Sequence, residues 1–277
     1  MNETTLDWKN AGLNDWCSVA IAPSKFRLRI NHPAKILHTN FDDAASEAAH
    51  KIANKWSDKH IYISLSGGLD SEFLAKTLLA QKIPFTPLIL KIDDVNAHES
   101  WYAEYFCHQR NLKPIILKIS KDEYQRHVLP KYLPVVSNTH NPHLPLQLYI
   151  IDYVESVGGY FLNGVGDMNL DTTRKEFYCN VIDFVVNIYR DNSHPTGFFM
   201  STPELALSYI WQFNPEINEQ YNKLKFYGVD PRPKIDYLDD LLTGERMARI
   251  LPVIYKNKTI TDHHWYGSKQ NIIDSLK

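Results

Sequence analysis

Cysteine is scarce in this chain, with three in 277 residues, at Cys17, Cys107 and Cys179. No two of them form a CxxC pair, so a cysteine zinc site finds no support, and an odd, scattered count gives no disulfide framework. Long apolar runs are missing as well; none approaches the roughly 20 residues that span a bilayer. The opening "MNETTLDWKNAGLNDW" lacks the charged-then-apolar pattern of a secretory signal. Neither sign of charge dominates, with 30 Lys and Arg against 32 Asp and Glu. That balance weighs against a strongly basic nucleic-acid binder, although a local basic groove is compatible with it. Internal repeats and low-complexity tracts do not occur. With 44% hydrophobic residues, the expectation is a soluble, cytoplasmic chain that buries an ordinary core.

What is present alternates between two periods. "CSVAIA" and "KFRLRI", separated by "PSK", read as a β-hairpin within a small β-rich preface, residues 1–40. "FDDAASEAAHKIANKW" spaces Ala44, Ala48, Ile52 and Trp56 as a helix does, with Asp42 and Asp43 suited to its first turn. A strand over 61–65, a glycine turn and a helix over about 70–81 follow. "FTPLILKID" reads as a second strand and "HESWYAEYFCHQRN" as a helix with Trp101, Tyr105 and Phe106 on one side. "KPIILKIS" is a third strand, "LPLQLYIIDYVESVGG" a helix, and "YFLNGVGD" a strand running into a turn. Near-continuously apolar strands alternating with helices predict an α/β fold, a doubly wound and mostly parallel sheet. That core is expected over 41–190. A helical part over 191–277, with "TPELALSYIWQFN", "NEQYNKLKFYG" and "YLDDLLTGERMARILP", would complete it.

"IYISLSGGLDSEFLAKTLLA", residues 61–80, carries most of the functional signal. Ser66-Gly67-Gly68 can be a tight βα connection in which glycine relieves strain. It can equally be a cradle whose bare backbone N–H groups, at a helix N-terminus, bind phosphate. Three features favour the cradle. It falls beyond the carboxyl end of a strand, where doubly wound sheets place ligands. Ser66 and Ser71 add hydroxyls on either side. Asp70 puts a carboxylate beside a polyphosphate, which makes electrostatic sense with a bridging divalent cation. The run is neither a Walker A loop nor a GxGxxG fingerprint.

The run Ser66-Gly67-Gly68-Leu69-Asp70-Ser71 resembles the SGGxDS loop of the PP-loop ATP pyrophosphatases. The resemblance implies an adenine nucleotide α-hydrolase-like fold, ATP and Mg2+ as cofactors, and cleavage of ATP between its α and β phosphates. "LILKIDDVNAHESWYAEYFCHQRNLKPIILKIS", "YIIDYVESVGGYFLNGVGD" and "LTGERMARILPVIYKNKTITDHHWYG" resemble the asparagine synthetase and β-lactam synthetase branch. The resemblance is specific at the loop, looser elsewhere, and covers about residues 41–265. It implies an AMP-forming ligase that adenylates a small-molecule carboxylate for an amine or ammonia. The nucleotide set it implies is Ser64, Leu65, Ser66, Gly67, Gly68, Asp70 and Ser71. Leu90, Lys91 and Ile92 would join them by holding adenine through backbone groups, as would Gly164, Val165, Gly166 and Lys258. Asp93 and Asp167 would lie near the substrate, and Asp70 and Asp167 would hold the metal. Lys256 maps onto the branch's basic residue, and Lys258 onto the lysine that steadies developing charge during adenylation. Asp70 and Lys258 are thus the expected catalytic pair.

The departures carry information too. Val165 stands where the branch has Glu between two glycines, and Asp167 follows the second glycine directly rather than two residues later. Both changes argue against aspartate as the substrate. Asn2 stands where a glutaminase would have its Cys nucleophile, and about 40 residues are too few for that domain. A separate glutaminase subunit, ammonia or another amine is therefore the expected nitrogen source. The rival expectations are a tRNA- or nucleobase-modifying adenylase, with nucleic acid the less favoured partner, and a nucleotide-binding subunit with a degenerate site. His140, His143, His263 and His264, like Arg232 and Lys234, read as exposed loop residues.

Overall fold

The computed structural model describes residues 8–10, 12–22, 25–31, 40–93, 95–132, 144–165, 168–171, 176–179 and 197–213. At its centre lie four strands, β4 (Ile61–Ser64), β5 (Phe85–Ile92), β6 (Ile115–Ile119) and β7 (Tyr160–Asn163). They form one sheet, ordered β6-β5-β4-β7 and parallel throughout. From β4 the chain steps outward to β5 and then β6, and later returns to the other side of β4 as β7. The strand order therefore reverses between β4 and β7, and α/β sheets place ligands at the carboxyl ends of strands at such a switch point.

Alternation along the strands divides the core in two. Ile61, Ile63, Leu65, Ile89 and Leu162 belong to a cluster with Ala44, Ala48 and Ile52 of α1 (Phe41–Lys55) and Leu74 and Leu78 of α2 (Leu69–Ala80). Leu88, Ile92, Ile119 and Phe161 point the other way. They meet Tyr124, Leu129 and Tyr132, together with Leu148, Ile151 and Val154 of α5 (Leu144–Ser156). Both faces are covered, which is why these strands read as apolar at nearly every position. This is the expected α/β fold with a parallel sheet.

Local signals account for the helix boundaries. Asn40 Oδ1 accepts the Asp42 N–H at 2.8 Å to start α1, and Asp42 and Asp43 sit in its first turn. The short α4 (Lys121–Glu123) starts at Ser120, whose hydroxyl accepts the Glu123 N–H at 3.0 Å. It leads into a π-helical turn over Tyr124–Val128. Sequence periodicity does not reveal this stretch, yet Ser120-x-x-Glu123 is a capping-box pattern. In α3 (Ala97–Gln109) one expectation fails. Phe106 is buried with Ala103 and Cys107, whereas Trp101 and Tyr105 are 56% and 50% exposed. Positions 101 and 105 lie one above the other on a helix, and 106 is about 100° further round than 105. The two exposed rings stack on each other 5.2 Å apart and within 7° of parallel.

Before the core, β1 (Lys9–Asn10), β2 (Cys17–Ala22) and β3 (Lys25–Ile30) form an antiparallel sheet, with the expected hairpin between β2 and β3. After it, β8 (Met168–Asp171) pairs antiparallel with β9 (Glu176–Cys179). Leu205, Tyr209 and Phe213 of α6 (Pro203–Phe213) pack into the same cluster as Phe41 and Phe73. The Phe41 ring stands 4.9 Å from that of Phe213 and 5.1 Å from that of Phe73. The helices expected from "NEQYNKLKFYG" and "YLDDLLTGERMARILP" lie outside the described residues. Among the described residues no helix is long and apolar enough to cross a membrane.

Candidate functional site

The glycine turn connects β4 to α2 at the carboxyl edge of the sheet. The last ladder bond before it runs from the Leu65 N–H to the Leu88 carbonyl at 2.9 Å. Gly67 then takes a left-handed φ of +86°. A Cβ there would stand 2.1 Å from the Glu99 carbonyl oxygen, so the turn lies directly against the backbone of α3. Gly68 is the N-cap residue of α2 and offers that helix no side-chain cap. Gly164, just past β7, approaches from the opposite side. A Cβ on it would meet the backbone of Asp70 and Ser71 at 2.6 Å. Two glycines from distant parts of the sequence thus let three backbone segments converge on the first turn of α2.

Hydroxyls organise the donors of the turn. Ser71, almost fully buried, donates from Oγ to the Gly68 carbonyl at 2.9 Å and accepts the Ser66 N–H at 3.3 Å. Ser66 Oγ lies 3.2 Å from Ser71 Oγ and accepts the Gly68 N–H at 3.2 Å. Because the Ser71 proton is directed at Gly68, the proton between the two hydroxyls comes from Ser66. The bonds that take up backbone N–H groups are at the long end of the normal range. They are therefore readily exchanged for an anion, which the start of a helix favours. Ser66 and Gly68 are exposed, so such an anion can reach them.

Asp70 is half-buried in the first turn of α2, and Glu72 beside it is ion-paired to Lys76 at 3.1 Å. Among the described residues no group of three or more His, Cys, Asp or Glu could hold a metal ion. A single carboxylate beside a turn with the shape to hold a phosphate nevertheless fits the way Mg2+ is held, by one or two carboxylates plus phosphate oxygens.

The end of β5 supplies the other expected contacts. Lys91 is ion-paired with Glu104 of α3. Asp93 follows in a left-handed conformation, φ +44°, and its carboxylate accepts the Lys121 N–H at 2.8 Å. Lys91 and Asp93 line an open groove of about 610 Å³ with Trp101, Tyr105 and His108, and a second cavity of about 330 Å³ with Lys118 and Ser120. The carbonyl of Leu90 and the N–H of Ile92 are both engaged by the side chain of Asn96. Asn96 does not stand out in the sequence, where "DVNAHE" reads as an ordinary helix start.

On the β7 side Asn163 is buried; it accepts the Val165 N–H at 3.3 Å and donates from Nδ2 to Gln147 Oε1 at 3.4 Å. Residues 197–199 extend this edge, with a parallel bridge from Gly197 to Asn163 and the Phe198 N–H donating to the Asn163 carbonyl. Ser64, Leu65, Ser66, Gly67, Gly68, Asp70, Ser71, Leu90, Lys91, Ile92, Asp93, Gly164 and Val165 all lie at this carboxyl edge. Gly166, Asp167, Lys256 and Lys258 are outside the described residues, as are His140, His143, Arg232, Lys234, His263 and His264. Nearby Cys107 is no candidate nucleophile: burial pushes its thiol up to about 11, with Glu104 adding to the rise and Arg110 opposing it.

No protein-family model matches the chain, and neither does any curated protein. Solved structures similar to it include an NMN synthetase from Francisella tularensis, 12% identical with a TM-score of 0.36, covering 82% of this chain and 100% of that one. An NAD+ synthetase from Burkholderia Pseudomallei is 12% identical with a TM-score of 0.30, covering 79% of this chain and 88% of that one. Overlaps this loose say nothing about what the chain acts on.

Proposed function

We propose that the chain is a PP-loop ATP pyrophosphatase of ligase type, working on Mg-ATP. A carboxylate oxygen of a small molecule attacks the α-phosphorus, the bond to the β-phosphate bridging oxygen breaks, and pyrophosphate leaves. An amine or ammonia then attacks the activated acyl carbon, AMP departs, and an amide remains. The observation that carries this reading is the run 66–71 itself, standing at the switch point of a parallel sheet. There Gly67 is wedged on α3 while Ser66 and Gly68 stay open to solvent.

In this reading Ser66, Gly67, Gly68 and Ser71 bind the pyrophosphate half of ATP, and Asp70 holds the Mg2+. The metal, when bound, neutralises charge that builds on the phosphates as the α–β bond breaks. Leu90, Lys91 and Ile92 meet the adenine through backbone groups. Asp93 and Asp167 face the substrate, and Lys258 steadies the transferring phosphoryl group. Catalysis is then mainly positioning and electrostatics.

Pyrophosphate–ATP exchange tests the reading, run with radiolabelled pyrophosphate across pools of amino acids, other carboxylates and bulk tRNA. Exchange that depends on one pool is the expected result. Asp70→Ala is expected to lower it at least about 100-fold, with the unfolding midpoint preserved; unchanged exchange in that variant sinks the assignment. A second reading, a subunit that binds nucleotide without turnover, draws support from Val165. Its backbone is spent on Asn163 and Phe199, and it offers no acid. ATP binding with no exchange in any pool favours that reading.

A further inference from the structure

Strand β5 outruns its neighbour. Its last rung with β4 is the bond at Leu88, yet it continues to Ile92. The Leu88 carbonyl faces β4, so by alternation Leu90 and Ile92 turn their polar groups to the same side. The Asp93 N–H, by contrast, goes to the Ile119 carbonyl of β6. Beyond the end of β4, the Leu90 carbonyl and the Ile92 N–H form an acceptor–donor pair beside the glycine turn. A carboxamide fills it. Asn96 Nδ2 donates to the Leu90 carbonyl at 2.8 Å, and Asn96 Oδ1 accepts the Ile92 N–H at 2.9 Å, with the residue 6% exposed.

Two features make this more than a strut. Asn96 stands at the N-cap of α3, where an Asn side chain ordinarily bonds its own helix, but it makes no such bond. A second arrangement of the same side chain, on the cap, is reached by turning the Asn96 backbone from its ψ of 28° to the extended region of a capping residue. The carboxamide also carries the same donor–acceptor pair as the exocyclic amine and N1 of adenine. Guanine presents the reverse, an acceptor beside a donor.

We infer that Asn96 is a built-in stand-in for the base, holding the Leu90–Ile92 edge until adenine displaces it onto the cap of α3. This rests on the ATP reading above and adds a gate to that site. Displacing two hydrogen bonds weakens ATP binding, while cap formation returns part of the loss. The device also discriminates, since only a base with adenine's pattern recovers what the amide gives up.

The test is calorimetric titration of the full-length chain, as wild type, Asn96→Ala and Asn96→Asp, with ATP, GTP and inorganic pyrophosphate, each with Mg2+. Removing the amide is expected to tighten ATP binding about ten-fold, to leave pyrophosphate unchanged and to leave GTP weak. Unchanged or weaker ATP binding with intact pyrophosphate binding overturns the gate while sparing the ATP reading. Failure of wild type to bind pyrophosphate overturns the ATP reading, and the gate with it. Should the variants not fold, the Asn96 side-chain amide resonances of the wild type decide. They are expected to move with ATP and stay put with pyrophosphate; an amide that ATP leaves unmoved overturns the gate.

Discussion

Two turns stand side by side at the carboxyl edge of the sheet and solve opposite problems. The turn after β4 strips its backbone bare, with Gly67 and Gly68 in sequence and Gly67 pressed on the Glu99 carbonyl. The turn after β5 uses full side chains throughout. Asp93 takes a left-handed conformation, and Asn96 reaches back to the end of the strand. The first turn suits an anion that can take over the Ser66 and Gly68 N–H groups from the hydroxyls that hold them. The second satisfies its own polar groups with the carboxamide of Asn96. One edge can thus combine an anion cradle with a reader of a planar polar group, each shaped by different residue chemistry.

The harshest challenge to this contrast is a side chain placed in the first turn. Gly67→Val, with its left-handed φ and a backbone carbonyl in the way, is expected to cost about 4 kcal/mol of stability and to abolish pyrophosphate binding. Urea unfolding measures the first effect; a loss under about 1 kcal/mol would mean that the turn is not wedged on α3. A smaller effect is expected in the second turn. Asp93→Val should cost about 2 kcal/mol, because a β-branched residue resists the left-handed region. Asp93→Asn should stay within about 0.5 kcal/mol, since Asn tolerates that conformation and can still accept from Lys121. Equal losses in the two variants would remove backbone strain as the cause. Finest of all is Ser71→Ala, expected to cost about 1 kcal/mol and to weaken pyrophosphate several-fold. Unaltered pyrophosphate affinity would show that its hydroxyl only braces the turn.

The first turn is legible in the sequence because backbone demands are written in glycine, and a six-residue run leaves few alternatives. Gly164 is legible as a strand end; its approach to Asp70 and Ser71 is not, because such a contact belongs to the packing of distant segments. Asn96 cannot be read at all, since a cap and a reach-back to a strand look identical in one dimension. Trp101 and Tyr105 mislead for a related reason: apolar spacing marks a shared face without saying whether that face meets the core. The parallel sheet follows from its apolar strands, while the hairpin of β8 and β9 carries no comparable pattern.

The indole N–H of Trp16 reaches the Met200 carbonyl at 3.0 Å across 184 residues, and the Leu13 N–H reaches the Ser201 carbonyl. That link clamps the segment that extends β7 at Asn163. It bears on the order of assembly during synthesis. The glycine turn and both its flanking elements have been synthesised once Ala80 at the end of α2 has emerged, and the α3 backbone that Gly67 is pressed on follows within about a helix and a strand. The rim beside Gly164, by contrast, must await the strand fragment at Gly197. Contacts of such long sequence separation are slow to form. A nascent chain would therefore hold its glycine turn against α3 well before it could close the rim beside Gly164.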